Sequence, residues 1–183
     1  MVTFKHIFRK DFTMSSVNDS VLTMLPRDQF AIEHAVIRFR NFSGAPDRFS
    51  KSGYNNGFFS VFLTEEQAQV LSDDGYSVKR LKPNPDDPED PGQPLIKIRV
   101  GLSNFPENVF RVTSHSQIML NSDTVKGLDH SEIANADIVC VPYNWTTNTG
   151  SGKSAYLGRG SYFTMVESPF ESKYSSYDEM MGD

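Results

Sequence analysis

Short segments in which apolar and polar residues alternate, divided by turn-forming residues, constrain the fold of this chain more than any other feature. Ile96, Ile98 and Val100 alternate with Lys97 and Arg99, and a period of two is typical of a β-strand with one buried face. We expect the strand at 109–113 to pair with the strand at 95–102. Strands are predicted over residues 31–41, 58–63, 76–81, 95–102, 109–113, 117–120, 136–141 and 155–166.

The predicted helices are few and short. The sequence Thr64-Glu65-Glu66-Gln67 has the spacing of a capping box, and Gly75 stands where a helix C-cap belongs, so a helix is predicted over residues 64–73. Further helical turns are predicted in DTVKGL, residues 123–128, and over residues 131–136. This pattern is typical of an all-β barrel or sandwich with short helical insertions.

Charge is distributed unevenly along the chain. Residues 84–94 hold four acidic side chains and no basic one, and residues 167–183 hold five acidic side chains and one lysine. The rest of the chain holds 17 basic and 14 acidic residues. The formal net charge of −5 therefore describes a mildly basic body with two acidic segments.

Three parts are expected along the chain. Residues 1–28 show no clean period and are expected to form an N-terminal extension. Residues 29–166 are expected to form a single folded domain, in which the five prolines of residues 82–94 predict an exposed loop. Residues 167–183 are expected to form an acidic C-terminal tail.

Composition excludes several classes of protein. A chain of 183 residues can bury a core without covalent support. Cys140 is the single cysteine, so an intrachain disulfide and a cysteine-based zinc site are both excluded. The sequence has no run of about 18 apolar residues, so no membrane span is predicted. The N-terminus lacks the apolar stretch of a secretory signal. We expect an intracellular protein with no membrane association.

The sequence GSGKS, residues 150–154, resembles the end of a phosphate-binding P-loop. The full motif needs a glycine at the position of Thr147 and a helix after Ser154, whereas glycines and strand-like aromatics follow. A hairpin turn is therefore favoured.

The four histidines lack metal-ligand spacing, and Cys140 lies between valines like a buried structural thiol. We predict no enzyme activity, no metal and no cofactor; nucleotide chemistry at Lys153 is the alternative.

Basic residues interleaved with aromatic residues are the strongest functional signal. Lysine and arginine neutralise phosphates, and aromatic rings stack on the bases that a single nucleic-acid strand exposes. Arg38, Arg40 and Phe42 share one parity in the strand predicted over 31–41. A solvated sheet face with core aromatics is the alternative interpretation. The predicted DNA contacts are Arg38, Arg40, Phe42, Tyr54, Lys79, Lys82, Tyr143, Trp145, Lys153 and Tyr156.

Six strings occur in a fixed order between residues 31 and 166: IRFRNFSG, GFFSVFL, DDGY, VKRLKP before the acidic proline loop, ADIVCVPYNW and SGKSAYL. As an ordered series they resemble a family of tailed-phage single-stranded DNA-binding proteins. The resemblance implies an OB-fold, a five-stranded closed or partly open β-barrel that binds DNA on one strand face and in flanking loops. It also implies an acidic tail that recruits replication and recombination proteins.

The residues and the resemblance together indicate a non-enzymatic, sequence-independent single-stranded DNA-binding protein. It is expected to coat and protect exposed strands during phage DNA replication, recombination or repair in the cytoplasm of the bacterial host. The acidic tail is expected to compete with DNA for the basic groove. The alternative is a virion structural β-sandwich whose aromatic loops form a subunit interface. The sequence leaves open a preference for DNA or RNA and assembly into a homo-oligomer.

Overall fold

β-strands dominate the chain, as the alternating segments predict. The computed structural model describes residues 16–46 and 56–170. Within these ranges one α-helix, α1 (Glu65–Asp73), and two 3-10 helices, Val17–Asp19 and Thr124–Asp129, accompany the strands. The strands are β1 (Val21–Met24), β2 (Phe30–Glu33), β3 (Val36–Asn41), β4 (Gly57–Phe62), β5 (Val78–Arg80), β6 (Pro94–Val100), β7 (Val109–Val112), β8 (Gln117–Met119), β9 (Ile133–Thr147), β10 (Gly150–Leu157) and β11 (Ser161–Met165).

These eleven strands join in one sheet. Its main path runs β3-β4-β6-β10-β9-β11-β7-β8; β2 pairs with β1 and β9, and β5 pairs with β6. The two ends of this path, β3 and β8, do not pair with each other within the described residues, so the sheet is not closed. The predicted all-β class with short helices is confirmed, and the sheet has more strands than the five of the expected barrel.

A cluster of phenylalanine rings packs distant parts of the sheet together. Phe42, directly after β3, stacks on Phe59 of β4 at 5.0 Å between ring centroids. Phe163 of β11 meets these two rings edge-on at 5.7 Å and 6.1 Å. All three side chains are fully buried, and burying each contributes about 1.5–3 kcal/mol. The apolar core therefore holds together strands that the hydrogen-bond ladder leaves apart.

Helix α1 begins as the capping box predicts. Thr64 Oγ1 accepts a hydrogen bond from the Gln67 amide at 3.1 Å, and Gln67 Oε1 accepts one from the Thr64 amide at 3.0 Å. The buried Gln67 side chain also donates to the Ser20 carbonyl at 3.0 Å. Gly75 follows the helix with φ +94°, in the left-handed region that glycine tolerates best. The cap thus also anchors the chain that leads into β1.

Several predicted boundaries differ from the observed ones. The strand predicted over 31–41 is divided into β2 and β3 by His34, which has φ +54°. The strand predicted over 155–166 is divided into β10 and β11, and residues 131–136 lead into β9 instead of forming a helical turn. Strand β7 pairs with β8 and β11 and not with β6, so the pairing expected between 109–113 and 95–102 is wrong.

Ordered structure begins earlier in the chain than expected. Strand β1 lies inside the segment 1–28 and pairs with β2 in register from Val21 opposite Glu33 to Met24 opposite Phe30. Its four residues are too few to display a period, and most of its side chains are exposed. Residues 16–28 therefore belong to the folded body.

Candidate nucleic-acid interface

The sheet has a face turned away from the core, which strands β3, β4, β6, β10, β9 and β5 form together. Residues directly opposite each other on paired strands share a face, so the strand register identifies its members. We call this surface the aromatic–basic face. Its defining residues are Arg38, Phe58, Phe62, Lys79, Lys97, Arg99, Tyr143, Trp145 and Tyr156.

The register arranges these side chains in rows across the strands. In one row Phe58 lies opposite Arg99, and Arg99 lies beside Tyr156 of the parallel strand β10. In the next row Arg38 and Lys97 flank Ser60 from opposite sides. Each row therefore places cations next to aromatic or small side chains.

A further row carries Phe62 and Lys79, which flank Leu95. Lys79 is exposed, whereas Phe62 is half-buried. This row repeats the combination of an aromatic ring and a cation at the far end of β6.

Two cations of this face stand over aromatic rings. Lys97 Nζ lies 3.9 Å from the centre of the Phe58 ring, and Arg38 Cζ lies 5.5 Å from the centre of the Phe62 ring. A cation–π contact at an exposed site contributes about 0.5–1 kcal/mol, less than the roughly 1–3 kcal/mol of a base stacked on an aromatic ring. An aromatic ring of this face therefore gains more from a stacked base than from the cation that stands over it.

The β9–β10 hairpin continues the face past β6. Strand β10 pairs with β6 only at Ala155 and Tyr156, and nearer its turn it bridges from Lys153 to Tyr76 instead. The Tyr143 side chain is 59% exposed, and its ring centroid lies 5.7 Å from that of Tyr156. The Trp145 ring packs against Gly152, where an added Cβ would lie 2.7 Å from Trp145 Cζ2. Three aromatic rings thus follow one another along the hairpin.

A comparison with known families identifies the protein class. The family profile described as "Putative phage ssDNA-binding domain" matches residues 20–183. The chain belongs to this family. No curated protein sequence matches the chain.

The phage ssDNA-binding domain is also similar to solved structures. One is the single-stranded DNA-binding protein from bacteriophage Enc34 in complex with ssDNA, with TM-score 0.53 and 12% identity over 81% of this chain and 93% of that chain. A C-terminal truncation of the Enc34 protein gives TM-score 0.51 and 12% identity over 80% and 91%. At this identity the similarity concerns the fold, and it confirms the OB-like all-β architecture.

Half of the predicted contact residues of this phage ssDNA-binding domain lie together. They occupy neighbouring strands and share the side of the sheet that faces away from the core. Tyr54 lies outside the described residues. The residues that the fold brings to the aromatic–basic face are Arg38, Lys79, Tyr143, Trp145 and Tyr156.

Phe42 lies in the core and not on the aromatic–basic face. Its ring is fully buried against Phe59 and Phe163, so the prediction that it stacks on a base is wrong. The cause is a β-bulge in β3: Phe39 and Arg40 together oppose Phe59 alone. An extra residue reverses the in–out alternation beyond it, so Arg38 points outward and Phe42 points into the core.

Arg40 is turned aside by the same bulge. Its guanidinium donates to the carbonyl oxygens of Leu128 at 3.0 Å and Ser131 at 2.6 Å. These carbonyls lie at the end of a 3-10 helix, outside the aromatic–basic face. Lys82 lies past the end of β5, where the exposed acidic loop begins. Neither Arg40 nor Lys82 therefore belongs to the rows of the aromatic–basic face.

Lys153 points to the core side of the sheet, with only 17% of its side chain exposed. Its Nζ lies 3.3 Å from Asp74 and 3.5 Å from Asp28. The nearby Tyr76 hydroxyl donates to the Asp28 carbonyl, and burial raises the pKa of Tyr76, with the carboxylates of Asp74 and Asp28 adding to the effect. Lys153 therefore ties β10 to the end of α1 and to the β1–β2 turn. GSGKS forms the start of β10 and not a P-loop.

Phe58, Phe62, Lys97 and Arg99 are absent from the predicted contact set but lie at the centre of the face. The alternation of Lys97 and Arg99 with buried residues already placed both outward. Phe58 and Phe59 are adjacent, so one must face outward, but only the register identifies which. The sequence alternation is therefore sufficient to place Lys97 and Arg99 on the face, but it is not sufficient to place the phenylalanine rings.

Other site types are not found in the described ranges. Among residues 16–46 and 56–170, no three His, Cys, Asp or Glu side chains cluster closely enough to hold a metal. Cys140 is buried, and burial raises the pKa of its thiol. No helix in the same ranges is long and apolar enough to cross a membrane.

Proposed function

We propose that this protein binds single-stranded DNA without sequence preference and coats exposed strands during phage DNA replication, recombination or repair. The proposal depends on one observation above all, the rows of aromatic rings and cations on the aromatic–basic face. Membership in the phage ssDNA-binding domain family supports the class of ligand.

The chemistry of the face suits a single strand. Strands β3, β4, β6, β10 and β9 lie side by side, and a spacing of about 4.8 Å between strands makes the face roughly 19 Å wide. Phe58, Tyr156, Tyr143 and Trp145 offer surfaces on which any base can stack, since every base has a π-face. Arg38, Lys97 and Arg99 supply charge for phosphates, which carry no sequence information.

The expected biological setting belongs to the same proposal. The protein acts without catalysis in the cytoplasm of the bacterial host, where it protects single strands and removes their secondary structure. Its acidic tail competes with DNA for the basic face and recruits replication or recombination proteins. Residues 171–183 of that tail lie outside the described residues, and the charge of the sequence alone supports this part.

Fluorescence of Trp145 tests the proposal directly, because Trp145 is the single tryptophan and lies on the proposed interface. Oligo-dT is titrated into the full chain at about 50 and 200 mM salt, a range over which phosphate-driven binding weakens strongly. We expect saturable quenching that requires more oligo-dT at the higher salt. A fluorescence signal that does not change, with no gel shift, would contradict the proposal and favour the virion protein.

A further inference from the structure

Phe39 combines an exposed aromatic ring with a strained backbone. Its side chain is 57% exposed, so the ring gains little from burial. Its backbone has φ +51°, in the left-handed region where a bulky residue is a rare outlier costing about 1–3 kcal/mol. Such strained residues concentrate at functional sites.

The surrounding structure accounts for this conformation. The bulge places Phe39 and Arg40 opposite Phe59 alone, and bulges re-aim the side chains that they carry. The Arg40 guanidinium fixes one side of the bulge by donating to the Leu128 and Ser131 carbonyls. With Arg40 held there, the Phe39 side chain is free to project from the other side.

Phe39 projects toward the aromatic–basic face. Its ring centroid lies 6.3 Å from that of Phe62, and the Arg38 guanidinium stands over the same Phe62 ring, 5.5 Å from its centroid. Strand β3 ends the path of the sheet. Phe39 therefore adds a ring at the open end of the face, next to a cation that can hold a phosphate.

We propose that Phe39 is a base-stacking residue that extends the single-strand path beyond the edge strand β3. The inference rests on the proposed function, since it assigns one more nucleobase to the same ligand. A second copy of the chain pairing along β3 is disfavoured because a bulge interrupts the edge that such pairing needs. The continuity with Phe62 and Arg38 favours a nucleotide.

The test uses Phe39→Gly in the full chain. Glycine adopts positive φ without penalty, so we expect a melting temperature equal to or above that of the wild type. Affinity for oligo-dT should fall roughly fivefold or more, as expected for the loss of one stacked base. Affinity for an abasic oligonucleotide of the same length should not change, because phosphate contacts remain.

Three further variants sharpen the result. Phe39→Trp keeps a stacking surface and should bind oligo-dT within about twofold of the wild type. Phe170→Ala removes another exposed aromatic, 63% exposed and after the last strand, and should leave affinity unchanged. Phe39→Asn repeats the test with a second residue that tolerates left-handed φ.

The outcomes separate this inference from the proposed function. If the wild type binds oligo-dT and both Phe39→Gly and Phe39→Asn bind it equally well, the role of Phe39 is overturned while the proposed function stands. Loss of self-association in sedimentation, with unchanged DNA affinity, would also overturn it and assign Phe39 to a contact between copies. If the wild type itself does not bind, the proposed function fails first.

Discussion

Single residues of the same chemical type lie in different environments in this protein. Lys97 stands over the Phe58 ring on the aromatic–basic face, whereas Lys153 is held between Asp28 and Asp74 on the core side. Lysines that neutralise phosphates set the salt dependence of DNA binding, and lysines in partly buried ion pairs act on stability. The environment, not the residue type, decides the role.

Replacing Lys153 should therefore affect folding more than binding. Lys153→Met keeps the aliphatic stem but leaves Asp28 and Asp74 without their shared cation. We expect a loss of about 1–2 kcal/mol in the free energy of unfolding, between the values for exposed and buried pairs. Urea denaturation measures this loss. The slope of log affinity for oligo-dT against log salt should be unchanged; a shallower slope would show that Lys153 contacts phosphate.

Cys140 should be inert in the folded protein. Its side chain is fully buried and burial raises the pKa of its thiol, so the reactive thiolate is both scarce and inaccessible. We expect no alkylation by iodoacetamide at pH 8 in native buffer and complete alkylation in denaturant. Mass spectrometry measures the extent of alkylation. Rapid labelling of the native protein would contradict the placement of β9 in the core.

Among the elements, the β9–β10 hairpin is the one whose geometry most directly controls the site. Trp145 lies against Gly152, with room for no side chain there. A glycine opposite an aromatic residue on a paired strand allows the ring to cover the backbone. The hairpin thus holds the indole against its backbone without fully burying it.

Substituting Gly152 should displace the indole. The added Cβ of Gly152→Ala would lie 2.7 Å from Trp145 Cζ2, so the ring must move. We expect a shifted Trp145 emission maximum and roughly five- to tenfold weaker binding of oligo-dT, the loss of one stacking contact. Gly127→Ala is the matched control, because a Cβ there meets nothing within 4 Å. Equal affinity of both variants for oligo-dT would show that Trp145 is not part of the interface.

The elements also mark where sequence reasoning succeeds and where it stops. Period-two alternation located most strands, and the capping box located α1, because these signals are local. The bulge in β3 is accompanied by the contact of Arg40 with the Leu128 and Ser131 carbonyls, about ninety residues away. No local pattern encodes that contact, so alternation alone places the Phe42 side chain on the wrong side of the sheet.

At the scale of the whole molecule, charge is divided between a basic face and acidic segments. The exposed loop between β5 and β6 is acidic and is ordered by its own hydrogen bonds. Asp90 accepts from the amides of Asn84 and Gly92, which lower the pKa of its carboxyl. Gly92 has φ +80°, and an added Cβ there would lie 2.2 Å from the Leu81 carbonyl oxygen. This loop keeps a defined shape, so its charge is fixed in place.

Removing the acidic tail should strengthen DNA binding. A deletion of residues 171–183 removes four acidic residues and one lysine but keeps Glu167, whose carboxylate accepts from the Ser114 amide and hydroxyl. We expect higher affinity for oligo-dT at about 50 mM salt and a smaller difference at 200 mM, because salt screens the competition. Fluorescence anisotropy measures both. Equal affinity at low salt would contradict the competition.

If the aromatic–basic face binds the single strand, its cations set the salt dependence of binding. The measurement is the slope of log affinity for oligo-dT against log salt, for the wild type and for a variant with Arg38→Met, Lys97→Met and Arg99→Met. Each lost phosphate contact removes about 0.7 from the slope for single strands. Three contacts predict a slope shallower by about 2, with Lys126→Met, on a 3-10 helix, as an unchanged control. A triple variant with the wild-type slope and affinity would show that the strand does not bind at the aromatic–basic face.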